Sequence, residues 1–208
     1  MSEQATPQLN SYDVLVIGSG AAGLTLALHL AGRYRVALLS KQRLQDGSTW
    51  FAQGGIAAVL DDMDSVEAHV ADTLDAGAGL CHPDAVRFTV ENSRDAIQWL
   101  INQGVDFTRE EDGEYHLTKE GGHSHRRIIH SADATGRAVH STLIERVRNT
   151  ANIDCFEHHI ALDLIRQPDA NTGRFRCAGC YVYNKASEEV EVFQGRAVIL
   201  ATGGASKA

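Results

Sequence analysis

The apolar positions near the start of the chain follow two different periods in succession. Residues 14–17 form a short continuous apolar run, which is typical of a strand that is covered on both faces in a parallel sheet. From residue 21 onward, apolar side chains recur at spacings of three and four, which predicts a helix ended by Gly32; they are Leu24, Ala27, Leu28 and Ala31. A second apolar run occupies residues 36–39, so residues 13–40 have the length of one strand-helix-strand unit.

The same helical spacing predicts three more amphipathic helices. The first is capped by Asp64 or Ser65 and ends near Gly77. The second occupies residues 84–104 and ends on a glycine, and the third occupies residues 135–149. Their apolar positions are, in chain order, Val66, Val70, Leu74; Val86, Val90, Ile97, Leu100; and Val139, Leu143, Ile144, Val147.

After residue 152 the pattern changes to short strand-like pieces separated by polar turns. The pieces are "IDCFEHH", "IALDLIRQ", "RFRCAGCYVYN", "EVEVFQ" and "RAVILATGG", with turn signals at "PDANTG" and "NKASEE". We expect an antiparallel meander that leads back into a parallel strand at residues 197–201. The predicted fold class is α/β: a Rossmann-like domain with a parallel sheet, flanking helices and an antiparallel β-meander, over residues 11–208 after a flexible tail at residues 1–10.

Composition narrows the classes of partner. The chain has 208 residues, 43% of them apolar, which is enough to bury a sizeable core. Its net charge of −8 would repel nucleic acid and anionic lipid. Because no apolar run approaches the roughly 20 residues that cross a bilayer, we expect no membrane insertion. Four irregularly spaced cysteines suit a reducing cytoplasm.

Cys177 and Cys180 have the C-x-x-C spacing of metal and redox sites. They lie in a segment of strand-like composition, where positions three apart point to opposite faces. A second cysteine pair to complete a zinc site is also missing. We therefore interpret both as strand cysteines and expect no metal.

Three glycines between the first predicted strand and helix fit the pattern G-x-G-x-x-G. In this context the pattern predicts dinucleotide binding: Gly18 permits a tight turn, Gly20 lets a pyrophosphate approach, and Gly23 lets helix and strand pack closely. At the end of the second strand, Ser40 and Lys41 stand where an acidic residue usually binds the ribose. Since a lysine also suits a 2′-phosphate, the motif leaves the choice of dinucleotide open, NADP included.

Five segments together carry a resemblance to a known family. They are "VIGSGAAG", "LLSK", "STWFAQGGIAAV", "GGHSHRR" followed by "DATGR", and the closing "ATGGASK". With these segments the chain resembles, over essentially its whole length after the tail, the flavoprotein family of succinate dehydrogenase and fumarate reductase. Within that family it is similar to the branch that oxidises L-aspartate.

The resemblance implies FAD as the cofactor and assigns residues to it. Residues 19–22 would hold the pyrophosphate, Lys41 would lie near the adenosine, and residues 48–55 would run along the flavin. The glycine motif and the resemblance together give these cofactor contacts: Gly18, Ser19, Gly20, Ala21, Ala22, Gly23, Ser40, Lys41, Ser48, Thr49, Trp50, Phe51, Ala52, Gln53, Gly54, Gly55, Ile160, Ala161, Thr202 and Gly203.

Two positions separate members of this family. Where the quinone-linked dehydrogenases carry a histidine bonded to the flavin, this chain has Ser48, which implies non-covalent FAD. Glu120 stands where the succinate and fumarate enzymes carry an apolar residue. The resemblance gives it the role of facing the substrate's amino group, since a carboxylate favours an ammonium. Considered without the resemblance, Glu120 would be an exposed loop acid.

The implied reaction is oxidation of L-aspartate to iminoaspartate with oxygen or fumarate as the acceptor, and transfer of the product to quinolinate synthase in NAD biosynthesis. The catalytic arginine and the capping and C-terminal helical domains are expected beyond Ala208, which would leave these residues inactive alone and weak in FAD binding. Two alternatives stay open: a flavoprotein subunit of the fumarate reductase or succinate dehydrogenase type, and a non-catalytic dinucleotide-binding module.

A group of basic residues follows Glu120. The spacing of its histidines is not a standard metal-ligand pattern, and no nearby cysteine completes one. We interpret the group as packing and hydrogen-bonding residues of the active-site wall: His123, His125, Arg126, Arg127 and His130.

Overall fold

The computed structural model describes residues 9–132, 134–169 and 173–204. Residues 1–8 of the predicted tail, the middle of the predicted turn "PDANTG" and the end of "ATGGASK" lie outside the described residues. The chain divides into two compact units, one of residues 1–50 and 143–208 and the other of residues 51–142. No helix in the described part of the chain is long and apolar enough to cross a membrane.

The first unit is built on a six-stranded mixed sheet. Its strands, in the order in which they pair, are β6 (Ile153–Phe156), β2 (Val36–Leu39), β1 (Leu9–Ile17), β9 (Glu189–Leu200), β8 (Phe175–Asn184) and β7 (His159–Pro168). The first four run parallel, and β8 and β7 continue the sheet in antiparallel fashion. This arrangement confirms the predicted α/β class and its antiparallel extension.

Three details of this sheet differ from the prediction. The first strand begins at Leu9, because Leu9 and Asn10 already pair with β9, so these two residues of the predicted tail belong to the sheet. The segment "IDCF" is β6, which pairs parallel with β2 and lies outside the meander. The pieces "EVEVFQ" and "RAVIL" form one strand, β9, which pairs with β8 on one side and β1 on the other. Strand partners depend on contacts distant in sequence, which local pattern does not encode.

The core of the first unit forms where apolar side chains from several strands meet. Its buried members, shared among β1, β2, β8 and β9, are Leu15, Ile17, Ala37, Leu39, Cys180, Val182 and Phe193. Helix α1 (Ala21–Leu30) follows β1 directly and buries Gly23, Leu24 and Ala27. The predicted strand-helix-strand unit is therefore present, and its β1-to-α1 turn lies at the carboxyl end of the parallel strands.

The second unit contains helices and a small antiparallel sheet. The helices are α2 (Val66–Ala76), α3 (Pro83–Glu91), α4 (Ser93–Gln103) and the first part of α5 (Thr135–Arg148). Strands β3 (Ile56–Ala57), β5 (Ile128–Ile129) and β4 (Leu117–Thr118) pair in that order. Strands β4 and β5 are the regular parts of a largely irregular segment at residues 107–130.

The helix prediction is correct for α2 and α5, but wrong for the helix at residues 84–104. Ser65 caps α2 by accepting the Ala68 N–H at 3.1 Å. The predicted long helix is two, because the chain breaks at Asn92. The Asn92 side chain donates to the Phe88 carbonyl at 2.7 Å and Ser93 donates to the Val90 carbonyl at 2.7 Å. Such local side-chain bonds compete with the regular helical ladder.

A fully buried arginine ties the second unit together. Arg127 has no exposed surface, and it donates from Nε and Nη2 to the two carboxylate oxygens of Asp64 at 2.8 and 2.7 Å. Its Nη1 donates to Asp72 Oδ2 at 2.8 Å. Its backbone also joins the neighbouring strands of the small sheet. The Arg127 N–H donates to the Thr118 carbonyl of β4, and the Arg127 carbonyl accepts the N–H of Ala58, the residue after β3. A charge can be buried here because it is paired and hydrogen-bonded.

We predict that Arg127→Ala lowers the free energy of unfolding by about 3–5 kcal/mol, because it leaves a buried carboxylate without its partner. Urea unfolding of the full-length protein would measure this. The matched control is Arg126→Ala, since Arg126 is exposed and donates only to the Leu117 carbonyl at 3.1 Å. The control should lose less than about 1 kcal/mol. Equal losses in the two variants would contradict the structural role of Arg127.

Candidate cofactor and substrate site

The turn between β1 and α1 brings three backbone segments into close approach. Gly18 has φ +119°, and a Cβ added there would overlap the Ala201 carbonyl oxygen and lie 3.2 Å from the Thr202 nitrogen. A Cβ on Gly23 would overlap the Gly18 carbonyl oxygen. Both glycines are thus required by the protein's own packing, and they bring Thr202, after β9, beside the glycine motif.

Gly20 differs from the other two glycines of the motif. Its φ of −73° is available to any residue, and an added Cβ would meet only Thr49 Oγ1 at an ordinary 3.5 Å. The fold itself therefore does not demand a glycine at this position. Close approach of a ligand to the backbone is the remaining physical reason for one, as the pyrophosphate interpretation requires.

Thr49 caps the N-terminus of α1 in place of a side chain at Gly20. The Ala21 N–H donates to Thr49 Oγ1 at 3.1 Å. A hydroxyl that accepts in this way keeps its own hydrogen to donate to another acceptor. The N-terminus of a helix also favours negative charge. Residues 48–50 and the glycine motif are therefore brought together within the first unit.

The Ser40 hydroxyl is turned into the protein. Ser19 and Ser40 are both buried, and their hydroxyl oxygens are 2.9 Å apart, within hydrogen-bond distance. The Ser40 backbone is paired with β6 and β7, through the Phe156 carbonyl and the His159 N–H, both at 2.9 Å. The contact between the two hydroxyls thus holds the glycine motif against the end of β2. Next to it, Lys41 is exposed.

Glu157 is a residue of this region that sequence analysis missed. Its Oε1 accepts the Leu44 N–H at 2.7 Å and lies 3.4 Å from Arg148 Nη2. It follows β6 at the same sheet edge as Ser40 and Lys41. Recognition of "IDCF" as a parallel strand would have indicated it, because polar residues after parallel strands meet at one edge.

The other FAD residues of the first unit lie on strands or on the surface. Ser48 is exposed at the start of a 3₁₀ turn, Ser48–Phe51. Ile160 and Ala161 lie in β7, and Ala161 packs against the core. Gly203 follows β9 with φ +69°.

In the second unit, the residues assigned to the flavin form an open ribbon. Phe51 is 66% exposed, and Ala52, Gln53 and Gly54 are also exposed. The Ala52 carbonyl accepts the Gly136 N–H at 3.0 Å. A Cβ on Gly55 would overlap the Ile128 side chain, so that glycine is required by packing against β5.

Glu120 lies at the tip of the hairpin between β4 and β5. It is exposed, and its side chain has no hydrogen-bond or ion-pair partner in the part of the chain that the structure describes. Its carbonyl accepts the His123 N–H at 3.2 Å, which closes a tight turn with Gly122 at φ +84°. A carboxylate held in this way is available to a cationic group from outside the unit.

The basic residues after Glu120 have separate environments. Arg127 is the buried ion-pair residue described above, whereas Arg126 is exposed. His130 Nε2 lies 2.7 Å from His116 Nδ1, and His125 Nδ1 lies 2.8 Å from Ser124 Oγ. The His123 ring packs against His69 with their centroids 5.7 Å apart. These side chains are thus engaged in hydrogen bonding and packing, and their place in an active-site wall stays a prediction.

Two carboxylates beside Arg127 have lowered pKa values. Hydrogen bonds from the Ser124 N–H and hydroxyl, together with Arg127, lower the pKa of Asp72 to about 2. Burial alone would raise the pKa of Asp64, but hydrogen bonds from Arg127 and the Ser65 N–H outweigh it and leave that pKa below its usual range. Both groups are therefore ionised at neutral pH.

None of the cysteines forms a disulfide bond. Cys177 and Cys180 both lie in β8, as predicted, and all four cysteines of the chain are free. Burial raises the pKa of the Cys155 and Cys180 thiols to about 11, which leaves both protonated at neutral pH. Among the described residues, no three His, Cys, Asp or Glu side chains gather as a metal-binding group.

Comparison with known proteins decides the family. A family model described as an FAD binding domain matches residues 13–208. The chain belongs to this FAD binding domain family. FAD is therefore the cofactor, which resolves the choice that the glycine motif left open.

Named relatives agree with this assignment. The chain is 59% identical over 203 residues to the L-aspartate oxidase of Pseudomonas aeruginosa, covering 94% of this chain and 38% of that protein. It is 45% identical over 195 residues to the chloroplastic L-aspartate oxidase of Arabidopsis thaliana, covering 93% of this chain and 30% of that protein. The chain thus spans between 30% and 38% of the length of these two curated relatives.

The fold also matches solved structures. An Escherichia coli quinol fumarate reductase superimposes with a TM-score of 0.86 at 31% identity, covering 95% of this chain and 33% of that chain. The mixed sheet, with its antiparallel extension, is therefore the fold of an FAD-binding domain.

The three glycines of the motif should respond differently to substitution. We predict that Gly20→Ala leaves the FAD-free protein's unfolding temperature nearly unchanged but weakens FAD binding at least tenfold, because the added methyl lies where the pyrophosphate approaches. Fluorescence titration with FAD would measure the affinity. Gly23→Ala is the comparison: it should prevent folding, since its Cβ overlaps the Gly18 carbonyl. Unchanged FAD affinity in Gly20→Ala would contradict the assignment.

Proposed function

We propose that this chain is the FAD-binding part of an L-aspartate oxidase, which oxidises L-aspartate to iminoaspartate with oxygen or fumarate as the acceptor. The observation that carries the proposal is the 59% identity to the Pseudomonas aeruginosa enzyme of that name over 94% of the chain. Identity to the fumarate reductase is far lower, at 31%. The product would pass to quinolinate synthase in cytoplasmic NAD biosynthesis.

Residues around the β1-to-α1 turn of the first unit are compatible with a bound FAD. Gly20 leaves room beside the N-terminus of α1, and Thr49 keeps a hydroxyl hydrogen to donate there. The contact between the Ser19 and Ser40 hydroxyls holds the motif against the end of β2. Bound FAD would supply the redox chemistry, accepting the two electrons and the α-hydrogen of the substrate.

Glu120 would select the substrate. L-Aspartate differs from succinate by one ammonium group, and a carboxylate within about 4–6 Å of that group stabilises it. A substrate without the ammonium would leave the carboxylate with no cation to pair with, which disfavours its binding. The Glu120 side chain is exposed and has no partner among the described residues, so it is available for this contact.

We predict that FAD is released from the full-length protein by acid precipitation. Serine at position 48 has no ring nitrogen with which to form the flavin bond of the quinone-linked enzymes. Yellow supernatant and a colourless pellet, read by absorbance near 450 nm, would agree with non-covalent FAD. Flavin retained in the denatured pellet would contradict it.

Glu120→Gln in the full-length protein should raise the KM for L-aspartate by about tenfold or more, because it removes the charge that pairs with the ammonium. The inhibition constant for succinate should fall or stay unchanged. Steady-state kinetics with peroxide detection would measure both constants. The matched control is Glu114→Gln, an exposed acid in the turn that precedes β4.

The alternatives make different predictions. A fumarate reductase or succinate dehydrogenase subunit, favoured by the TM-score of 0.86 to such an enzyme, would show unchanged kinetics in Glu120→Gln. A non-catalytic dinucleotide-binding module would hold FAD and produce no peroxide with L-aspartate.

A further inference from the structure

The loop that carries Glu120 lies along one face of α2. We call residues 119–126 the Glu120 loop. Three positions of α2, spaced three and four apart, face it: His69, Asp72 and Ala76. The spacing places them on the same side of the helix. All of these residues belong to the second unit, so the contacts are internal to it.

Each of these positions meets a consecutive residue of the loop. The Ala76 Cβ lies 3.8 Å from the place of a Cβ on Gly122. The His69 ring lies 5.7 Å from the His123 ring, centroid to centroid. Asp72 binds the next residue, Ser124. This face of α2 therefore contacts the loop at each of residues 122–124.

Asp72 makes the polar part of this contact through a single oxygen. Its Oδ2 accepts the Ser124 N–H at 2.7 Å, the Ser124 hydroxyl at 2.7 Å and Arg127 Nη1 at 2.8 Å. Two of these donors belong to one loop residue, and one of them is a backbone group, so the bonds fix the path of the main chain. Charge-assisted bonds of this kind are roughly twice as strong as neutral ones.

Only residues 121–123 separate Ser124 from Glu120, and they form a tight turn. The Glu120 carbonyl accepts the His123 N–H, and Gly122 at φ +84° closes the turn. At its other end the loop is closed by the Arg127 N–H bond to the Thr118 carbonyl. The Glu120 carboxylate itself has no described partner, so its position is set by the backbone that carries it.

We propose that Asp72 is a positioning residue: through Ser124 it fixes the Glu120 loop, and thereby sets the preference for a dicarboxylate that carries an ammonium group. This inference rests on the proposed function. Asp72 acts through Glu120 and touches neither substrate nor cofactor. Displacement of a positioned group by about 1 Å can cost as much as a hundredfold in rate, so loosening this loop should be measurable.

The test uses the full-length, FAD-loaded protein with Asp72→Ala and Ser124→Ala. The two measured quantities are the KM for L-aspartate and the inhibition constant for succinate, which lacks the ammonium. In Asp72→Ala we expect the KM to rise about tenfold and the succinate constant to change less than twofold. Ser124→Ala keeps the Ser124 N–H bond and the Asp72–Arg127 pair, so it should fold and raise the KM about threefold.

Asp75→Ala is the matched control. Asp75 lies on the same helix but is exposed, and its side chain has no described partner, so its loss removes one negative charge without touching the loop. Both of its constants should stay within twofold of the unaltered protein. Unfolding temperature and flavin content of each variant would show that the protein is folded and loaded.

If the role of Asp72 were purely structural, loosening its contact with the loop would change both constants together or would change neither. Either of these results in Ser124→Ala would overturn the inference. A double variant adds a second check: with Glu120→Gln already present, Asp72→Ala should change the ratio of the two constants no further. Failure of the proposed function would look different, since Glu120→Gln alone would then leave that ratio unchanged.

Discussion

The close backbone approach at Gly18 is the constraint on which the first unit depends. The end of β1, the start of α1 and the chain leaving β9 meet where neither Gly18 nor Gly23 has space for a Cβ. Only glycine at both positions lets the helix begin directly over the edge of the parallel sheet. That contact also places Thr202 beside the glycine motif.

The second unit depends on charge. Arg127 is buried among carboxylates that are themselves hydrogen-bonded, and it links the N-terminal end of α2 to the hairpin. Both carboxylates pair with Arg127; Asp64 also accepts the N–H of the adjacent Ser65, whereas Asp72 also binds Ser124 of the Glu120 loop. The ion pairs that stabilise the second unit are thus connected through Asp72 to the loop that carries Glu120. Glu120 is the residue to which we assign the substrate preference.

The two units contribute different things to the proposed chemistry. The first presents a helix N-terminus, a spare hydroxyl on Thr49 and an uncrowded Gly20 to a dinucleotide. The second presents an exposed ribbon at residues 51–54 and an unpaired carboxylate at Glu120. Membership of the FAD binding domain family accounts for the first set. The similarity to L-aspartate oxidases gives the second set its proposed meaning.

The sequence by itself determined the elements whose signal is local. The period of apolar residues predicted α1, α2 and α5, and the glycine spacing predicted the turn before α1, because side-chain period and backbone freedom act within a few residues. Tertiary structure decided what depends on distant partners. It assigned β6 to the parallel side of the sheet, turned the Ser40 hydroxyl toward Ser19, and set Asp72 against Ser124. Strand partners and polar pairings of this kind form between residues far apart in the chain, and no local pattern records them.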